Sequence, residues 1–147
     1  MAWEDLSESE KGYIAGFLDG EGSICIHKHA TIHYCLSISF YNTHKPVIDF
    51  IGKKLGYKSF KRTEDKRRDE LHKKTNYVIY IKKNSDSLDF LNKILPYLII
   101  KSEQAKISIK FLEAVLNRKE YKYTDKLIKK LGEYEKMNKS LNKGCSI

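Results

Sequence analysis

Tyr13-Ile14-Ala15-Gly16-Phe17-Leu18-Asp19-Gly20-Glu21-Gly22-Ser23-Ile24 combines small residues with carboxylates in a chain that is otherwise basic. Ser7 and Glu10 stand ahead of it in capping-box spacing, which predicts a helix from Ser7 to about Asp19, ended by Gly20 and Gly22. Gly12, Gly16 and Gly20 recur every four residues. Glycine inside a helix costs roughly 1 kcal/mol against alanine, so a row of it on one face, with Ala15 beside it, points to an unusually close backbone neighbour. A second copy of the same helix is one candidate. Asp19 and Glu21 fall at the negative end of the helix macrodipole, where an anion is disfavoured by about 0.3–1 kcal/mol. No lysine or arginine lies between Lys11 and Lys28. A hard divalent cation of the Mg²⁺ type is then the physical candidate for the offsetting charge, the alternative being solvated acids at a helix end.

Downstream, Ser23 to His29 alternates, with Ile24 and Ile26 on one face and Ser23, Cys25, His27 and His29 on the other. His33 to Tyr41 repeats the pattern, with Tyr34, Leu36, Ile38 and Phe40 inward and Cys35, Ser37, Ser39 and Tyr41 outward, so an antiparallel pair across a short connection near Ala30 is expected. The outward face is polar and almost uncharged. Ordinary solvated faces carry more lysine and glutamate, whereas a face of donors and acceptors suits base edges in the major groove, which admits a two-stranded ribbon.

Pro46 opens a predicted helix with Val47, Phe50, Ile51 and Leu55 inward, stopped by Gly56. A second hairpin is predicted from Tyr57 to Arg62 and Asn76 to Lys82, its connection too polar to be core. From Lys58 to Lys74 there are eight basic residues against four acidic ones, and Lys58, Lys61, Arg62, Arg67 and Arg68 are candidate phosphate or guanine contacts. Asn84, Ser85 or Asp86 is expected to cap a helix ended by Pro96. Further helices start near Ser102 and Thr124, and the residues after Met137 are expected to be loose.

The 147 residues, 41% of them hydrophobic, suit one domain over 1–147, with a core over about 7–116 and a lysine-rich helical extension over about 118–147. A formal charge of +9 and a pI near 9.3 point to a polyanionic partner. Without a long apolar run or a signal-like N-terminus, nucleic acid is expected before a membrane, and the setting is expected to be intracellular, in a prokaryotic cytoplasm or nucleoid or an organelle. Cys25, Cys35 and Cys145 are odd in number and lack C-x-x-C spacing, so three reduced thiols are expected. The alternating His27, His29 and His33 have no carboxylate on their face and are assigned to DNA contacts rather than to a metal.

Ile14 to Gly22 resembles the nine-residue signature of the LAGLIDADG homing endonucleases, with Ile14 for the first leucine, Phe17-Leu18 for the middle pair and Glu21 for the second aspartate. The predicted order is similar to that family's α+β αββαββα fold over about Ser7 to Leu116, in which an antiparallel sheet forms a saddle with helices on one face. The resemblance implies a homodimer joined through Gly12, Ala15, Gly16 and Asp19, with the saddle over double-stranded DNA and no small-molecule substrate. It implies metal binding at Glu21 with Gly20 beside it, Mg²⁺ or Mn²⁺ supporting cleavage and Ca²⁺ binding without it. Leu95-Pro96-Tyr97-Leu98, Lys101 and Gln104-Ala105 resemble the segment that supplies a catalytic-pocket lysine, which makes Lys101 the counterpart. Phe40-Tyr41-Asn42-Thr43-His44-Lys45 resembles the segment with a polar water-positioning residue, commonly glutamine; His44 stands there instead.

The implied activity is intron- or intein-associated cutting of both strands of a long pseudo-palindromic site, leaving 3′ overhangs. The alternative is a non-cleaving binder of the same fold, an intron maturase or transcriptional regulator. Such a binder is free to lose Glu21 and Lys101, and this chain keeps an acid and a lysine there.

Overall fold

The computed structural model describes residues 2–30, 34–62, 75–118 and 122–142. Helix α1 (Glu8–Glu21) begins as the sequence predicts: Ser7 Oγ accepts the Glu10 backbone N–H, and the Glu10 carboxylate accepts the Ser7 N–H. It ends later than predicted. Gly20 stays helical, and the chain leaves the helix at Gly22, directly into strand β1 (Gly22–Lys28). A Cβ at Gly22 would lie 2.5 Å from Leu18 Cδ1 and 2.8 Å from the Ser39 carbonyl, so the α1–β1 junction closes only around glycine.

The remaining elements are β2 (Tyr34–Asn42), α2 (Lys45–Leu55), β3 (Phe60–Lys61), β4 (Tyr77–Ile81), α3 (Asn84–Ile94), α4 (Ser102–Leu116) and α5 (Asp125–Leu141). The αββαββα order and the α+β class hold, with α4 and α5 following. The antiparallel sheet runs β1-β2-β4-β3, with Gly22 opposite Phe40, Ser23 opposite Ser39 and Ser39 opposite Tyr80. Its inner face presents Ile24, Ile26, Leu36, Ile38, Phe40, Ile79 and Ile81, all buried against the helices.

The core extends beyond the span expected from sequence. Trp3 lies almost wholly buried against Tyr57 and Phe90, its indole N–H donating to Asp89, and Leu131 of α5 is fully buried. In α2, Ile48 replaces Phe50 as the core residue, leaving Phe50 exposed, while Gly56 at φ 74° ends the helix. Strand β3 is far shorter than Tyr57 to Arg62, because Tyr57 turns inward and its hydroxyl donates to Asp86 Oδ2 at 2.6 Å. Asp86 is therefore a buried acceptor and caps nothing; Lys83 occupies the N-cap of α3 without a side-chain bond. Thr124 does cap α5, which continues past Met137 with Asn138 fully buried, so this part of the tail is not loose. Cys25 is disulfide-bonded and Cys35 is a free thiol, which corrects the expectation of three reduced thiols; C-x-x-C spacing is no condition for a disulfide.

Candidate nucleic-acid interface and active site

Asp19 ties the end of α1 to the start of α4. Its Oδ2 accepts the backbone N–H groups of Ile99 at 2.8 Å and Ile100 at 3.2 Å, and its Oδ1 accepts that of Lys101 at 2.9 Å. Pro96 makes this turn possible: α3 stops, a 3₁₀ turn over Leu95–Tyr97 follows, and the chain swings round to α1. Lys101 returns the contact, its Nζ donating to the Asp19 carbonyl at 2.7 Å. That carbonyl has no intrahelical partner, so the ammonium satisfies it and opposes the negative helix end. Burial lowers the Lys101 pKa from its ordinary value, with the Asp19 charge partly offsetting it. The cation that the helix end requires is therefore supplied in part by a lysine 82 residues away in sequence. The Asp19 carboxylate is committed within the subunit rather than offered to a partner.

Glu21, two residues on, is exposed, and its carboxylate takes no hydrogen bond among the described residues. Gly20 is exposed beside it, and its carbonyl also falls in the last helical turn. A carboxylate and helix-end carbonyls form a partial set of hard oxygens, short of the six or so that a divalent ion takes. Among the described residues no three His, Cys, Asp or Glu side chains form a metal-holding group. His44 is exposed at the N-cap of α2, with its backbone N–H on Asn42 Oδ1 at 2.8 Å. It leaves the sheet at the end where Gly22 pairs with Phe40, the end that Glu21 occupies.

The outer face of the sheet is a groove. Ser23, Cys25, His27, His29, Cys35, Ser37, Ser39 and Tyr41 line it, together with Arg62. Sequence reasoning missed Tyr80 and Lys82, which line it too, with the Lys82 ammonium 4.8 Å from the Tyr80 ring centroid. The signal was available in the alternation of β4, where Ile79 and Ile81 point inward. Two of the predicted readers are compromised: Cys25 is disulfide-bonded, and Ser39 is 6% exposed with its Oγ 2.5 Å from Ser23 Oγ. Burial, then the charges of His29 and Lys82, lowers the His27 pKa from its ordinary value. Lys58 and Lys61 are exposed near the opposite edge, while His33, Arg67 and Arg68 lie outside the described residues.

The glycine face of α1 is open. A Cβ at Gly12, Gly16 or Gly20 would meet nothing within 4 Å. Tyr13 (50% exposed) and Phe50 (43%) pack edge to face on this surface, and Ile99 (85%) and Ile100 (72%) project from the turn that Asp19 holds. Ala15 is fully buried against its own core and offers no surface to a second copy, contrary to expectation, because the 3.6-residue period turns it toward the sheet.

No protein-family model matches the sequence, and no curated protein matches it. Solved structures do. The homing endonuclease I-CvuI, in complex with its target in the presence of Ca, superimposes with a TM-score of 0.74 at 19% identity over 92% of this chain and 83% of that one. The archaeal intron-encoded homing endonuclease I-Vdi141I, complexed with DNA, gives 0.75 at 17% identity, over 92% and 85%. The LAGLIDADG homing endonuclease I-GzeII, in complex with its DNA target, gives 0.68 at 18% identity over 92% of this chain and 46% of that one.

The chain has the LAGLIDADG homing endonuclease fold.

In that LAGLIDADG fold the signature stretch is α1 and its exit into β1, so Gly12, Gly16 and Gly20 form its exposed ridge and Glu21 its end. No helix among the described residues is long and apolar enough to cross a membrane.

Proposed function

We propose that the protein is a site-specific endonuclease that binds double-stranded DNA in the sheet groove as a homodimer and cleaves both strands with Mg²⁺ or Mn²⁺, each chain acting as a single domain. The observation that carries this reading is the Asp19 clamp, which holds the Lys101 ammonium on the Asp19 carbonyl, two residues along the chain from the free Glu21 carboxylate, where α1 runs directly into the groove-lining strand β1. Among the described residues nothing lies within 4 Å of where a Cβ would stand on the glycine ridge, and Tyr13, Phe50, Ile99 and Ile100 are exposed apolar side chains, which supports pairing of two α1 helices. Such pairing brings together two Glu21 carboxylates and completes the oxygen set that one subunit lacks. Their role, with Gly20, is to hold divalent metal. When bound, the metal supplies Lewis-acid polarisation of the scissile phosphate.

The chain's own residues do the rest. Lys101 spends one of its three donors on Asp19 and turns the others toward charge developing on the phosphate oxygens. His44 orients the attacking water or takes its proton. Tyr41, Tyr80, His27 and Ser37 address base edges, while Lys82, Arg62, Lys61 and Lys58 hold phosphates.

Cleavage of a randomised DNA library in Mg²⁺, with Glu21→Gln alongside, tests this. The parent should cut both strands of a pseudo-palindromic site, leaving 3′ overhangs; Glu21→Gln should bind that site and not cut. Sequence-specific binding by the parent without cleavage in Mg²⁺ or Mn²⁺ would establish the non-cleaving binder instead.

A further inference from the structure

Among the described residues strand β1 is an outer strand, with β2 paired on one side. Its other edge carries the Ile24 carbonyl and the Ile26 N–H, which require partners when buried. Asn138 of helix α5 bonds to both, and Asn142 at the C-cap of α5 adds a longer contact from its Nδ2 to the Ile24 carbonyl at 3.5 Å. Asn138 is 0% exposed; its Nδ2 donates to the Ile24 carbonyl at 3.0 Å and its Oδ1 accepts the Ile26 N–H at 3.1 Å. These are the two bonds that one residue of a parallel neighbouring strand would make around Cys25. A side-chain amide therefore stands in for a fifth strand.

The helix that carries this amide is itself held. Leu131 is fully buried, Gly132 lets the Tyr34 hydroxyl approach to where a Cβ would be 3.0 Å away, and Gln104 Nε2 donates to the Leu141 carbonyl at 2.9 Å. On the opposite side of the anchored backbone, Ser23, Cys25 and His27 line the groove. Strand β2 is paired with strands on both edges, whereas the outer edge of β1 is closed by a side chain of α5.

We infer that Asn138 is a positioning residue for sequence reading: by completing the outer edge of β1 it fixes where Ser23 and His27 stand against the bases. The inference rests on the DNA-reading role proposed for the groove. It assigns to α5 a part in specificity without contact with DNA.

The test uses Asn138→Leu, which keeps the branched shape and removes both Asn138 bonds, leaving the Ile24 carbonyl its longer contact at 3.5 Å from Asn142 Nδ2. Base positions read by each strand are first assigned on full-length protein with His27→Ala and Tyr80→Ala. In the free variant, hydrogen exchange at the Ile26 amide should quicken by about tenfold. On DNA, discrimination should fall by about tenfold at the positions lost in His27→Ala and stay unchanged at those lost in Tyr80→Ala, with the salt dependence of binding preserved. A merely structural role predicts an equal loss at every position, and that result overturns the inference. So does a parental specificity profile despite faster exchange. A parent with no sequence preference removes the underlying reading and the inference with it, whereas a preference that the variant retains removes the inference alone. Should Asn138→Leu not fold, Asn138→Gln, which keeps the amide but displaces it by a methylene, enters the same comparison.

Discussion

Replacing Asp19 by asparagine keeps the side chain's shape and removes its charge, and the structure makes the consequence calculable. The carboxylate accepts three backbone N–H bonds, from Ile99, Ile100 and Lys101. Asparagine has one carbonyl oxygen. Directed at Ile99 and Ile100, it sets its NH₂ against the Lys101 N–H; reversed, it keeps Lys101 and faces two donors with a third. Hydrogen bonds to a charged acceptor contribute about 1.5–3 kcal/mol, less where water competes, as it does at Ile99 and Ile100. The expected net loss is about 1–3 kcal/mol, or a fall of about 3–10 °C in Tm. Because the same three N–H groups hold the backbone that carries Lys101, cleavage should slow by about 10- to 100-fold even at temperatures where the variant is folded. Urea unfolding gives the first quantity and single-turnover cleavage the second. The decisive comparison is a double-mutant cycle with Lys101→Met: if Asp19 acts by holding Lys101, the second substitution should cost far less in the Asp19→Asn background than in the parent. An Asp19→Asn protein with the parent's urea midpoint, or strictly additive rate losses, would refute the clamp.

Gly16→Leu should leave the subunit folded, and even gain about 0.5–1 kcal/mol of helix stability, because a Cβ there meets nothing within 4 Å. It should abolish dimerisation and cleavage; a dimer of this variant in sedimentation would place the subunit contact elsewhere. His27 carries the pH dependence. Its native pKa lies below the ordinary imidazole value, chiefly through burial. The unfolded chain therefore takes up the proton first, so the contribution of His27 is complete above pH ~6.5 and is lost as pH falls through that value toward the native pKa. Urea midpoints between pH 8 and pH 5 should fall less steeply for His27→Gln, and an unchanged curve would exonerate His27.

Local periodicity accounts for what the sequence alone determined. The Ser7–Glu10 capping box, the glycine row, the alternation of β1 and β2 and the αββαββα order each rest on residues a few positions apart, and each stands in the structure. The same spacing arguments assembled almost the whole groove lining, since residues two apart on a strand share a face. They failed where a residue's partner is remote. Phe50 and Ile48 differ only in which neighbour they meet, and the Asp86 carboxylate reads as a cap until Tyr57 reaches it. Tyr80 joins the groove through its register with Ser39, and Ala15 leaves the glycine face because the sheet lies behind it. Above all, the Asp19 to Lys101 clamp and the Asn138 amide on β1 span 82 and 112 residues of chain. Both satisfy backbone groups that secondary structure leaves unpaired at a helix end and at a sheet edge. The sequence announces that such orphan groups exist; only the packed chain decides which distant side chain closes each one, and here those choices hold the candidate lysine and the outer strand in place.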